Sequence, residues 1–431
     1  MVPRRTPGLL AQTFLIAVLA AGGLPSRELQ AATAPAAVSI PQAAVALGQA
    51  GVFDGSPMVA AQQLGYFKDV GLTVTIKPFG DIQGIGEATA AGSLNAGLFG
   101  DQGGIPAIGN LGKMTFCTFG DVFEGYAIMG RKGKNLTFQD ALAQAHGDKQ
   151  KAIELTMQGL KGKTLITQFR TGMEGFLRIA LAKAHMDVSD LKIIQLSSPE
   201  GATAFLLGDG DLQLGDVPSR YRVEEEGAVP VITAAQVGPP ALLFVGYVCN
   251  SAWLASNPDT MLRVLSVWYR IADRLRSDPD PALTTMYQWV NQNAGTSFDL
   301  TQAKFIQKEI SPWLTFEEAG RTFYDAAATT YVGKRLAYVI QFQQDAGNIP
   351  KGKLTTQSAS MAEDLYRRLK AYRIQADANL AKLAGLEAHV SGAAKQSVDA
   401  LTAQAKTYYA DRDYLDAARF SDAAVSAAQA K

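Results

Sequence analysis

Between Gly159 and Gly215 the chain reads Gly-Leu-Lys-Gly-Lys-Thr-Leu-Ile-Thr-Gln-Phe-Arg-Thr-Gly-Met-Glu-Gly-Phe-Leu, then a helix-like run to Ala184, then Leu-Lys-Ile-Ile-Gln-Leu, and finally Ala-Phe-Leu-Leu-Gly-Asp-Gly-Asp-Leu-Gln-Leu-Gly. Short β-branched runs alternating with helical spacing predict strand, loop, helix, strand, helix, strand. That order builds a parallel α/β sheet with its loops gathered at the carboxyl edge. Open sheets of this kind bind ligands at that edge. The loop from Thr167 to Glu174 sits where a strand ends and a helix begins, so free backbone N–H groups and the positive helix end face the crevice. The expected guest is small, and an anion suits such a loop.

The first part of the chain follows the same plan. Val38 to Val52 carries a strand, and the turn Asp54-Gly-Ser-Pro leads into a helix through Leu64, with Ser56 at the N-cap and Pro57 at the first helical position. Leu72 to Lys77 alternates as a strand, Gly80 to Ala91 reads as a helix, and Ala96 to Phe99 is a strand ending in Gly100-Asp101-Gln102. Gly92, a strand and Asp101 in one half correspond to Gly208, a strand and Asp216 in the other, each Asp followed by a proline, Pro106 or Pro218. Two such units facing one another make a cleft. Strand-like segments near Ala127 to Arg131 and Leu243 to Cys249 are the expected crossings between them, a hinge that bends without unfolding either half.

Three segments carry a family resemblance: Ala60-Ala-Gln-Gln-Leu-Gly-Tyr-Phe-Lys-Asp-Val-Gly-Leu-Thr-Val, Leu160-Lys-Gly-Lys-Thr and Asn250-Ser-Ala-Trp-Leu-Ala-Ser-Asn-Pro-Asp. By their order and spacing, residues from about Ala43 to Asp325 resemble the periplasmic solute-binding proteins of ABC importers, in the branch serving nitrate, sulfonates, taurine and thiamine-precursor pyrimidines. The resemblance implies a type II periplasmic-binding-protein fold: an α/β chain in which two lobes close on a solute and deliver it to a membrane permease. Lobe I is expected over 38–130 and 246–347, and lobe II over 131–245. It also implies a monomer with no cofactor. An enzymatic relative in thiamine-pyrimidine synthesis needs a cysteine-rich iron-binding segment, and this chain has no such segment.

The start of the chain reads as an export signal over 1–34: Arg4-Arg5, an apolar run from Leu9 to Ala20, and small residues through Ala31-Ala32-Thr33-Ala34. An uncleaved anchor is the alternative, against which stands an apolar run shorter than a bilayer span. No cysteine lies near the signal's end, so a lipid anchor is not expected, and the destination is periplasmic or extracellular. Cys117 and Cys249 are the only cysteines. The family fold can bring them together in the first lobe as a disulfide, or they remain buried thiols.

With 40 basic and 40 acidic residues the chain has no net field to attract nucleic acid. His146, His185 and His389 stand far apart with no partner at metal-ligand spacing, and neither a Gly-x-Ser-x-Gly elbow nor a Walker loop occurs. Asp209-Gly-Asp211 matches part of a calcium loop, lacks the remaining ligands, and reads as a tight turn. The expectation is a binding protein, not an enzyme. Beyond Asn348-Ile-Pro-Lys-Gly-Lys the composition turns Ala-rich, and 355–431 predicts a C-terminal helical appendix of three helices, broken near Ser391-Gly392 and at Asp411-Arg-Asp-Tyr. It is either a brace on the first lobe or an arm that engages a protein partner, in which case the fold would serve as a sensor or scaffold.

Candidate ligand-binding residues follow from the crevice loops. Asp54, Gly55, Ser56 and Phe79 come from the first loops, Asp101 and Gln102 from the third, and Gln168, Arg170, Thr171, Gly172, Ser197 and Asp216 from the second lobe. Arg170 offers a planar fork of donors suited to carboxylate or sulfonate, unless it pairs with Glu174. Asp216 argues differently. Facing the ligand, it would repel an anion and favour an amine or a zwitterion such as taurine, or else it caps the next helix. Phe53, Phe79, Phe123 and Phe169 are placed to stack a flat solute such as a pyrimidine, or to pack in the core.

Overall fold

The computed structural model describes residues 38–430; the expected export signal lies outside the described residues. The chain builds two five-stranded mixed sheets. The first contains β1 (Ala43–Ala50), β2 (Leu72–Phe79), β3 (Ala96–Gly100), β4 (Met114–Phe123) and β10 (Leu243–Asn250), in the order β2-β1-β3-β10-β4. The second contains β5 (Ala127–Arg131), β6 (Thr164–Thr167), β7 (Lys192–Gln195), β8 (Leu212–Gly215) and β9 (Ala228–Thr233), in the order β7-β6-β8-β5-β9.

The two orders are the same pattern. In each sheet three strands run parallel, and one strand entering from the other lobe is inserted antiparallel beside them: β10 between β3 and β4, β5 between β8 and β9. The degenerate repeat in the sequence is therefore a repeat of topology. Ala127–Arg131 and Leu243–Asn250 are the inserted strands themselves, each wholly inside one sheet. The chain passes from the first sheet to the second over 124–126 and returns over 234–242.

β-branched and aromatic runs explain the strands. Leu243–Asn250 is buried at every position because sheet neighbours lie on both sides and helices on both faces. The Pro258–Ser277 helix backs this sheet and buries Trp268, whose ring stacks on Trp313 at 4.1 Å. Gly120 is open because a Cβ there would lie 2.2 Å from Trp268. Cys117 and Cys249 form a disulfide between adjacent β4 and β10, which decides between the two readings of that pair.

Helices at Ala362–Leu386, Gly392–Ala410 and Tyr414–Gln429 form the C-terminal appendix, and its root is built into the first lobe. β4 is an edge strand, and the chain covers it: Ser360 bridges Phe116, and the Met361 N–H donates to the Phe116 carbonyl at 2.8 Å. Tyr366 stacks on Phe316 at 4.7 Å and on Tyr324 at 4.5 Å. Arg263 on the Pro258–Ser277 helix is only 2% exposed and makes a two-pronged pair with Asp416, 1% exposed, at 2.9 and 3.1 Å. Arg419 joins Asp416 to Asp259, and Arg373 reaches Glu317 at 2.7 Å. The contacts are those of a brace.

Removing one partner of a buried ion pair leaves the other charge without compensation, which costs about 3–5 kcal/mol, whereas replacing both by apolar residues is often close to neutral. Asp416→Ala therefore destabilises the protein in urea unfolding by about 3–5 kcal/mol, and the double variant Arg263→Met/Asp416→Leu loses much less. Equal losses would show that the tail docks by apolar packing alone. Replacing both cysteines by alanine opens a loop of 132 residues and lowers stability by about 2–5 kcal/mol, measured the same way with the wild type under oxidising conditions.

Candidate functional site

A cavity of about 110 Å³ lies between the sheets, and its walls come from the carboxyl edges of the parallel strands in both. The first lobe contributes Val52, Phe53 and Asp54 after β1, Phe79 at the end of β2 with Gly80 and Asp81 following it, and Leu98 to Gly100 from β3. The second contributes Gln168 and Thr171 after β6, Ser198 and Pro199 after β7, and Asp216 to Ser219 after β8. Tyr126 lies in one crossing and Leu243 at the end of the other, so both crossings form part of the wall.

Of the sequence candidates, Asp54, Phe79, Gln168, Thr171 and Asp216 line this cavity. The others do not. Ser56 is fully buried and its hydroxyl donates back to the Phe53 carbonyl at 2.6 Å, so it makes no side-chain cap; Gly55 packs beneath Gln49 and Leu98. Asp101 is fully buried in an ion pair with Arg335, and Gln102 accepts from Gln343 at 3.2 Å. Arg335 donates further to the carbonyls of Pro240 at 3.0 Å and Leu242 at 2.6 Å, while Asp101 accepts from the Phe244 N–H at 3.3 Å. This cluster holds the return crossing against the first lobe.

Arg170 adopts a left-handed backbone, φ 62°, and this turn presents Thr171 to the cavity while the arginine stays exposed over adjoining recesses beside Asn110. Its N–H donates to Glu174, but the ion pair of Glu174 is with Arg178, at 2.7 Å. Gly172 is needed for packing: a Cβ there would lie 2.5 Å from the Tyr126 hydroxyl and 2.8 Å from Leu243, where the second lobe's helix meets both crossings. Ser197 forms a capping box with Glu200, and the neighbouring Ser198 is the residue on the cavity wall. Sequence reasoning missed Ser198, Tyr126 and Asp81. The signals available were the second serine of the pair and the Phe-Glu-Gly-Tyr crossing.

The chemistry of the wall is acidic. Asp54, Asp81 and Asp216 line it, and no Lys, Arg or His does. Asp54 is 8% exposed, and no other described residue donates a hydrogen bond to its carboxylate. Burial, with the Asp216 charge adding to it, pushes its pKa up to about 7. Asp121 is fully buried, accepts from Ser311, and is pushed well above the carboxylate range by burial and by the Asp54 charge. Burial also raises Asp216, although that carboxylate accepts from the Ser219 N–H at 3.2 Å. The Tyr126 phenol is raised by burial and by Asp54, Asp216 and Asp101, so it stays protonated and can donate.

Helix N-termini do point into the cleft, as the sequence implied. They are already capped: Thr171 accepts from the Met173 N–H, Ser197 is paired with Glu200, and Asp216 occupies the start of Val217–Glu225. One helix end favours an anion by about 0.3–1 kcal/mol, whereas two unit charges 4 Å apart interact by about 4 kcal/mol at an intermediate dielectric. The carboxylates dominate. Among the described residues no group of three or more His, Cys, Asp or Glu side chains is arranged to hold a metal ion.

Two α/β lobes with a cavity walled by the strand ends of both define a two-lobed solute-binding fold, and solved structures share it. The periplasmic aliphatic sulphonate binding protein SsuA from Escherichia coli superposes with a TM-score of 0.57 at 16% identity, covering 76% of this chain and 99% of that one. The periplasmic nitrate-binding protein NrtA from Synechocystis PCC 6803 gives 0.55 at 13% identity, over 76% of this chain and 88% of its own. The desulfurization enzyme DSZB gives 0.51 at 13% identity, over 77% and 100%. The NMT1-like family model matches residues 39–290, more than half of the chain, and the protein belongs to that family. No curated protein sequence matches it.

The raised Asp54 pKa has a sign that stability measurements can read. Folded Asp54 holds its proton to about pH 7, while the unfolded chain releases it near 3.8, so the solute-free protein loses stability as pH rises between those values. Asp54→Asn removes this slope. The variant melts higher than wild type at about pH 8, by on the order of a few kcal/mol, and the two converge near pH 4. Asp216 faces the group in both proteins, and Asp121 and Tyr126, which the Asp54 charge raises, relax toward their ordinary ranges in the variant, so the difference reads Asp54 together with its effect on these neighbours.

Proposed function

We propose that this protein is the extracytoplasmic solute-binding component of an ABC importer, capturing a small organic solute between its lobes and presenting the closed form to a membrane permease. One observation carries the reading: a single cavity takes its walls from the strand ends of both sheets and from the crossings between them, so neither lobe alone encloses a guest. Family membership and the sulphonate- and nitrate-binding neighbours support it. An enzyme shares the fold, and the case for binding rests on the wall. It offers three carboxylates and a phenol, with no histidine, cysteine or lysine to serve as nucleophile or near-neutral base beside them.

Export through the amino-terminal signal suits this role, and the Cys117–Cys249 disulfide suits an oxidising compartment. No helix among the described residues is long and apolar enough to cross a membrane. The protein works as a monomer, and the appendix braces the first lobe, leaving the lobes free to move about 124–126 and 234–242.

The test begins with mass spectrometry of material released from protein purified from its natural source. Returned to the stripped protein, that solute contracts the radius measured by small-angle scattering. Saturating binding with an unchanged radius would remove hinge capture.

A further inference from the structure

We propose that the solute is a small organic cation, a protonated amine or amino-heterocycle whose N–H groups meet Asp54 on one lobe and Asp216 on the other. The inference rests on the reading of the cleft as a solute site and narrows it to one charge class. Nitrate and alkanesulfonates require fixed donors or positive side chains, and this wall has neither in surplus. Asp54, Asp81 and Asp216 line the cavity with no basic side chain among the lining residues. The helix ends that would attract an anion are occupied by the chain's own caps, one of them by Asp216 itself.

Asp54 is the decisive group. It is nine-tenths buried, it lines the cavity, and no other described residue donates to it, although buried carboxylates are almost always paired. A guest that brings N–H donors and a positive charge supplies what is missing. Tyr126, 6% exposed and T-stacked on Phe123 at 4.9 Å, adds a phenol at the same wall, and Phe79 lines the cavity as well. Carboxylates flanked by aromatic faces suit a flat cation, because both the charge and the ring quadrupoles attract it. The positions on separate lobes give such a cation a reason to draw them together.

The experiment titrates stripped full-length protein by calorimetry with benzylammonium and 4-aminopyridinium, and with benzenesulfonate and nitrate at matched ionic strength. Both cations bind and both anions do not. Asp54→Asn and Asp216→Asn each weaken the cations by about ten- to a hundredfold. Asparagine keeps the helix cap at 216, and thermal unfolding verifies that both variants are folded. The inference is overturned by an anion that binds more tightly than both cations, by cation binding that survives both substitutions, or by the absence of any cation binding. Anion binding that strengthens as pH falls would overturn it as well, with protonated Asp54 donating to the guest. If that anion also contracts the radius, solute capture stands and only the charge class fails; a recovered solute that binds without contraction removes capture itself.

Discussion

The ion pair between Arg335 and Asp101 is the point on which the two-lobed arrangement turns. Asp101 opens the Asp101–Leu111 helix at the end of β3, and Arg335 reaches it from the Val332–Asp345 helix. The same guanidinium gathers the carbonyls of Pro240 and Leu242, and the same carboxylate takes the Phe244 N–H. A segment that leaves the second sheet, carries two prolines and must insert antiparallel between β3 and β4 is thereby fixed at the moment it enters the first. Arginine suits the position because its planar fork serves several acceptors at once while remaining charged. Without that clamp the strand would have its ladder partners but no defined point of departure.

Against this rigid frame the cleft is kept under electrostatic tension. Burial raises Asp54, Asp121 and Asp216, the Asp216 charge adds to the shift of Asp54 and the Asp54 charge to that of Asp121, so ionising them in the empty cleft costs stability. Groups that lower stability yet stay in a cleft are the mark of a site kept for recognition. The surroundings offset the penalty: the aromatic cluster of Phe316, Tyr324 and Tyr366, the closed edge of β4 and the tail's ion pairs all strengthen the first lobe, which holds Asp54 and Asp121.

Much of this was legible in the chain. Strand and helix periodicity placed the loops, and parallel-sheet topology put Asp54, Phe79, Gln168, Thr171 and Asp216 at one edge, since that outcome depends only on local pattern and strand direction. Failures came where side-chain direction was set from far away. Asp101 looked like a crevice residue because Arg335 lies 234 residues later, and Gln102 for the same reason with Gln343. Arg170 stands over the adjoining recesses because of its own left-handed backbone, which periodicity does not encode. Tyr126 escaped notice because a crossing reads as a connector until the fold bends it into the wall. The open choice between disulfide and thiols was settled only by the insertion of β10 beside β4.

That disulfide also changes the connectivity of the molecule. Cys117 and Cys249 lie on the two arms through which the chain leaves and re-enters the first sheet, so the bond closes a ring containing the entire second sheet. The second lobe is then a closed loop hung from the first. A single protease cut anywhere between 118 and 248 opens the loop without parting the chain, and a second lobe that unravels stays moored at both ends. Refolding of that lobe becomes a search within a ring, beside a first lobe whose inserted strand is already in place. Damage to the second lobe therefore leaves the first assembled and the pieces joined.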